Sequence, residues 1–324
     1  MRDFFADSDV NRKMKTTLTF LCLLATYPTL AQLPQLRPEV VELYRLQDIA
    51  MRSRVLKSDD FVEKHEAFFS HPLFCETAFG FEYINFVEAL LIRGELDMAE
   101  EYLLKSARLN YMNVSNMLEF IFRKRKPATW PDTVYLVQRT PENIRFKETM
   151  LEKISEIEKN LIIDPRVISI AQELKEMFKK DQAVRVAKPF CEDAMVKVDR
   201  ANIERIKELI VENPDIDIFN IYLLSDRSEA AGISFHLWLI FWHQRGSLVF
   251  WTDFEPYFRE RAENGKGLDY CFWYDTYLVF TRPSQDPCYG LQPLRNTPFR
   301  LSIVDNLDEI NDNREKVGLL PLRR

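Results

Sequence analysis

Between Pro38 and Arg125 apolar residues recur three and four positions apart, a spacing that gathers them on one stripe of a helix. Val41, Leu43, Tyr44, Leu46 and Ile49 begin the pattern, and Asp59-Asp60 supplies a cap before Phe61, Val62, Phe68 and Phe69. Pro72 opens a third, long helix that ends at Gly94, and the run from Glu95 to Asn110 reads as its antiparallel partner. Only eight glycines in 324 residues leave few tight turns, which favours helices over a many-stranded sandwich. The expected class is mainly α (α+β): an N-terminal helical bundle over 32–126, then a C-terminal helical module over 164–324 with a small antiparallel β-hairpin. Pro127, Pro131 and Pro141 mark 127–163 as a proline-containing linker and connecting helix. The basic tetrad Arg123 to Lys126 just before it offsets a helix dipole or forms a binding patch.

The helical pair resembles one tetratricopeptide-like hairpin over 83–110. Tyr83, Phe86, Val87 and Leu90 fall on its first helix, and Gly94, Ala99, Leu103 and Ser106 at the small and apolar positions of the turn and second helix. Tyr111 stands where such a unit ends in Pro, and no second copy follows at a fixed period. Arrays of this kind need about three units to hold together, so the pair is expected in a small bundle, with a protein partner as its natural use.

Arg12, Lys13 and Lys15 precede an apolar run from Leu18 to Ala25, and Thr29-Leu30-Ala31 closes it with small residues. A basic stretch, a short apolar core and a small-residue cleavage site, in that order, predict a secretory signal peptide over 14–31. Residues 1–13 are a doubtful leader and Met14 a better start. The bulky Leu21 before Cys22 argues against lipid attachment, so the reading is export to periplasm or medium, with no membrane span left after cleavage. Beyond Ala31 the chain keeps 40 Lys and Arg against 47 Asp and Glu, an acidity that argues against a nucleic-acid footprint. Four cysteines remain, Cys75, Cys191, Cys271 and Cys288. In an oxidising compartment Cys271 and Cys288 are the preferred pair, although four buried thiols fit equally well. Neither Cys nor His spacing suggests a metal site, and no cofactor motif is present.

The helix opening at Asp164-Pro165 is the most informative stretch. Its apolar stripe, Val167, Ile170, Leu174 and Phe178, continues by the same steps to Asp181 and Arg185, with Gln182 beside them. An acid and an arginine four apart on a core-facing stripe are unexpected unless they pair. They make either a pre-oriented polar site or an ion pair that sets helix register.

Asp181-Gln182-x-x-Arg185 is followed in order by Val198-Asp199-x-x-Asn202, His243, Tyr274-Asp275, Tyr289-Gly290-x-Gln292 and Arg314-x-x-x-Gly318-Leu319. This ordered set resembles an uncharacterised bacterial domain-of-unknown-function family with a DQxxR helix, a QH step, an LxDR step, a YGTQ turn and a closing RxxxGL. The resemblance covers 164–324 and implies that Asp181, Arg185, His243 and Asp275 are candidate catalytic residues, with Gln182, Asn202, Tyr289 and Gln292 as binding residues. Trp242, Thr276 and Leu291 replace the family's Gln, Arg and Thr, which thins the implied site.

Between these motifs, Ser225 or Asp226 caps a helix with Glu229 in capping-box position, and Ile233 to Trp242 is apolar on nearly every side. Glu255 to Asn264 reads as a helix, while the aromatic and β-branched run from Tyr270 to Phe280 reads as a strand returning beside Cys288. The aromatics of 238–289 fit a core or a sugar-stacking surface. Together these features predict an exported protein that binds a protein partner or a ligand. A divergent hydrolase built on Asp181, Arg185 and His243 is the alternative.

Overall fold

The computed structural model describes residues 34–56, 58–109, 114–123, 136–221, 233–245, 247–281, 287–291 and 306–322. The signal-peptide stretch 14–31, the doubtful leader, the proposed cap at Ser225 or Asp226, and Gln292 lie outside them. From Leu36 onward the chain forms one compact unit.

Twelve α-helices and one 3-10 turn carry the described residues, with no strand among them. They are α1 (Pro38–Leu56), α2 (Phe61–Phe69), α3 (Glu76–Arg93), α4 (Leu96–Ala107), α5 (Val114–Arg123) and α6 (Pro141–Asn160). After these come α7 (Pro165–Val186), α8 (Glu192–Glu212), α9 (Ile233–Gln244), α10 (Leu248–Glu263), α11 (Asp269–Thr281) and α12 (Leu307–Lys316). The 3-10 turn spans Ile218–Asn220.

The α3–α4 hairpin turns at Gly94, whose φ of 82° is the left-handed conformation that ends helices at low cost for glycine. Tyr83, Phe86, Leu90 and Leu103 are fully buried between its helices and their neighbours. The core they begin continues through Leu118 of α5 to Met150 and Ile154 of α6. Thus α6, expected as a connecting helix, is a core helix. Thr140 caps it by accepting from Asn143 N, with Pro141 at its first position.

Helix α1 does not pack with that bundle alone. Val40, Leu43 and Tyr44 are buried against Phe68 and Phe79, and Leu268 closes the same cluster. The Tyr44 hydroxyl donates to Ala262 O (2.9 Å), and Asp48 accepts from Leu320 N (2.8 Å). Arg52 Nη2 donates to Leu320 O (2.8 Å). Gly318, at φ 81°, brings its backbone so close that a Cβ there would stand 2.1 Å from Val41 O. Residues about 270 apart in sequence therefore form one seam.

The expected β-hairpin is overturned. Residues Asp269–Thr281 are a helix, and 287–291 return to it as a turn. Consecutive residues from Tyr270 to Leu278 are nearly all buried, so the aromatic run reflects enclosure on every side, and the alternation of a half-buried strand is absent. Helix α10 also begins seven residues earlier than Glu255, at Leu248, capped by Ser247. Pro256 lies in its interior instead of opening it. Phe241 of α9, Phe250, Phe254 and Phe258 of α10, and Trp273 of α11 stack with ring centroids 4.8 to 6.4 Å apart and form the core of this half.

Candidate functional site

Asp181 and Arg185 sit one turn apart near the end of α7, where the apolar stripe predicted them. The Asp181 side chain is fully buried, and each of its oxygens is used. Arg185 Nη1 lies 3.0 Å from Oδ1, and Gln182 Nε2 donates to Oδ2 at 2.8 Å. His243, arriving on α9, places Nδ1 2.9 Å from Oδ2 and 3.1 Å from Oδ1. A carboxylate accepts only, so in the neutral ring the hydrogen is on Nδ1 and the lone pair is on Nε2. The His243 side chain is 19% exposed and Arg185 17%.

Arg185 is also engaged by α8, where Asp199 Oδ1 accepts from Nη2 at 2.7 Å. One guanidinium thus bridges two carboxylates, and with a neutral imidazole the cluster carries a formal charge of −1. An arginine so engaged has little left to offer an anion. Asn202, one turn beyond Asp199 on α8, is 5% exposed and its Nδ2 has no hydrogen-bond partner among the described residues. His236, two turns before His243 on α9, is buried with its ring stacked on Phe178 at 4.2 Å. The linked group therefore joins four of the sequence-predicted polar residues, Asp181, Gln182, Arg185 and His243, while Asn202 lies one turn past Asp199 on α8. Asp199 is the member that the candidate set missed, although its motif was visible.

Asp275 and Tyr289 belong to a different group. Asp275, fully buried on α11, accepts from Tyr289 N and Leu291 N, both at 2.8 Å. Burial pushes its carboxyl up to about 7, against the pull of the N–H groups at 288, 289 and 291 and of Arg314. Arg314, 2% exposed, donates to Tyr289 O (2.8 Å) and Leu320 O (2.7 Å). Every partner of this carboxylate is backbone of the turn, which is the arrangement of a staple. Cys271, one turn before Asp275, and Cys288 of the turn are thiols, and no disulfide joins them. Burial raises both, Cys288 to about 12, so the thiolates that exchange requires are disfavoured.

A cleft of about 440 Å³ opens between the start of α7, the end of α8 and α10, lined by Asp164, Arg166, Tyr257, Glu260, Arg261 and Lys266 among others. Arg261, 4% exposed, is paired with Asp217 and Asp269, and its guanidinium lies 5.0 Å from the Phe219 ring centroid. Sequence periodicity gave no hint of this buried cation, because its partners come from segments 8 and 44 residues away. Asp181 is 15 residues along α7 from Arg166, roughly 22 Å at helical rise. The cleft and the His243 cluster are therefore separate places. Among the described residues no three His, Cys, Asp or Glu side chains are grouped to hold a metal ion, and no helix is long and apolar enough to cross a membrane.

No protein-family model, curated protein or solved structure matches the chain.

Proposed function

We propose that this is an exported ligand-binding module whose site is the meeting of α7, α8 and α9. The observation that carries the reading is His243: a buried carboxylate fixes Nδ1, which leaves Nε2 as an oriented acceptor on a side chain that is 19% exposed. On α8, one turn past Asp199, Asn202 holds a buried donor that has no partner among the described residues. With Arg185 consumed by Asp181 and Asp199, the cluster favours a neutral ligand bearing hydroxyl groups, which both donate and accept. Export rests on the residues at 14–31.

A thermal-shift series with monosaccharides and polyols tests this. At least one such compound should raise Tm in the millimolar range, and His243→Ala should abolish the shift while Glu260→Gln in the cleft keeps it. The opposite pattern would move the site to the cleft, and no shift with any compound would sink the reading.

The same dyad supports one second reading, a hydrolase in which His243 Nε2 takes a proton from water while Asp181 holds the ring. It is weaker because Asp275, the implied second carboxylate, is bound to backbone N–H groups elsewhere. Turnover of nitrophenyl esters or glycosides that disappears in His243→Ala would favour it.

A further inference from the structure

We propose that the cleft between α7, α8 and α10 binds a zwitterion, a free α-amino acid or short peptide with an apolar side chain, a reading independent of the His243 cluster. The cleft holds about 440 Å³, within the range of roughly 300 to 1,000 Å³ typical of small-molecule sites. Most of its charges are already committed to one another. Arg166 spends Nε, Nη1 and Nη2 on the carboxylates of Asp164 and Asp215, at 2.6 to 3.3 Å. Arg261 is spent likewise: Nε donates to Asp269 (3.2 Å), Nη2 donates to Lys266 O (3.0 Å), and Nη1 pairs with Asp217. Asp217 in turn accepts from Phe219 N and Asn220 Nδ2. Of the charged side chains that line the cleft, only those of Glu260 and Lys266 have no ion pair or hydrogen bond among the described residues. One is a carboxylate and the other an ammonium, and they do not bridge each other.

Both free charges stand on one braced frame. Glu260 lies in the last turn of α10, next to the buried Arg261. Lys266 follows just beyond the helix, and Arg261 holds its backbone from both sides: Lys266 N donates to Arg261 O (2.9 Å), and Lys266 O accepts from Arg261 Nη2 (3.0 Å). The next residue, Gly267, donates its N–H to the Tyr44 hydroxyl (3.1 Å). The backbone beneath both charges is therefore set before a ligand arrives, which lowers the ordering cost of binding. Val167, Ile210, Pro214, Ile216 and Ile221 supply the apolar lining. An ammonium for Glu260, a carboxylate for Lys266 and an apolar side chain for this lining together describe the ligand. A simple anion or cation would answer one free charge and be repelled by the other.

The test is isothermal titration calorimetry of the full chain with leucine and with the dipeptide alanyl-leucine. Leucinamide, which lacks the carboxylate, and N-acetylleucine, which lacks the ammonium, are the controls. At least one zwitterion is expected to bind in the millimolar range or tighter, with each control weaker by about tenfold or more. Binding of leucine assigns the cleft to free amino acids, and binding of the dipeptide alone assigns it to peptides. Glu260→Gln should weaken the zwitterion about tenfold and erase the preference over N-acetylleucine, while Lys266→Met should erase the preference over leucinamide. Both side chains are exposed, so circular dichroism and Tm should stay unchanged in both variants. Failure of both zwitterions to bind, controls that bind as tightly, or binding that survives both substitutions overturns the proposal.

Discussion

Burying His65 makes this protein sensitive to acid in a calculable way. The ring is 1% exposed, lies 4.5 Å from the Phe86 ring and uses Nδ1 on Phe61 O, which leaves Nε2 without a partner among the described residues. Burial lowers its pKa from 6.5 to about 4. The unfolded chain therefore binds a proton near pH 6.5 that the folded chain refuses until about pH 4, and stability falls as pH drops through that window and is flat above it. His65→Phe should reduce the acid loss between pH 7 and 4.5 by about 2 kcal/mol, read from urea midpoints at the two pH values. For Arg185, substitution by Met leaves the fully buried Asp181 without its cation and should cost about 3 kcal/mol. Asp181→Asn together with Arg185→Met should cost at least 1 kcal/mol less than the two single changes added, the coupling expected of a direct pair. The sequence could show this pair, because both residues lie on one helix stripe four apart. It could not show which distant residues complete it, since Asp199 reaches Arg185 from 14 positions away and His243 reaches Asp181 from 62.

At the scale of the element, α11 shows how composition can hide a helix. Aromatic and β-branched residues favour strands where one face is wet, but Tyr270, Trp273, Tyr274 and Tyr277 are enclosed on all sides by α10, α9 and the returning turn. Helices α3, α6 and α7 were legible because proline, glycine or a capping side chain marks an end and a polar face remains. Asp275 fixes the turn to α11, and the substitution that tests it is Asp275→Asn. The amide keeps one acceptor oxygen and places an NH2 against the other backbone N–H, so a loss of about 2 kcal/mol is expected in urea denaturation at pH 8. The wild-type carboxyl is raised to about 7, so the fold favours its protonated form. That contribution is complete below pH 3.8 and disappears as pH rises through 7, so the penalty of the Asn variant should shrink toward alkaline pH.

At the scale of the whole molecule, the seam between α1 and residues 318–322 gathers Asp48, Arg52, Arg314 and the backbone of Leu320. Gly318→Ala would set a Cβ into Val41 O and require a φ that alanine avoids, so the seam should open with a Tm fall of several degrees. Hydrogen exchange confined to α1 and the 318–322 segment would confirm where the damage lies. Nothing in the sequence announces this contact, since each segment reads as an ordinary amphipathic helix or tail and their pairing is set only by the closed fold. The seam also imposes a delay on synthesis. At 5 to 20 residues per second, Asp48 is synthesised roughly 15 to 55 seconds before Leu320 exists to bond it. Until Leu268 is made, the Val40, Leu43 and Tyr44 face has only α2 and α3 as shelter, and a nascent chain stalled before Leu268 should be the form that chaperones and proteases find.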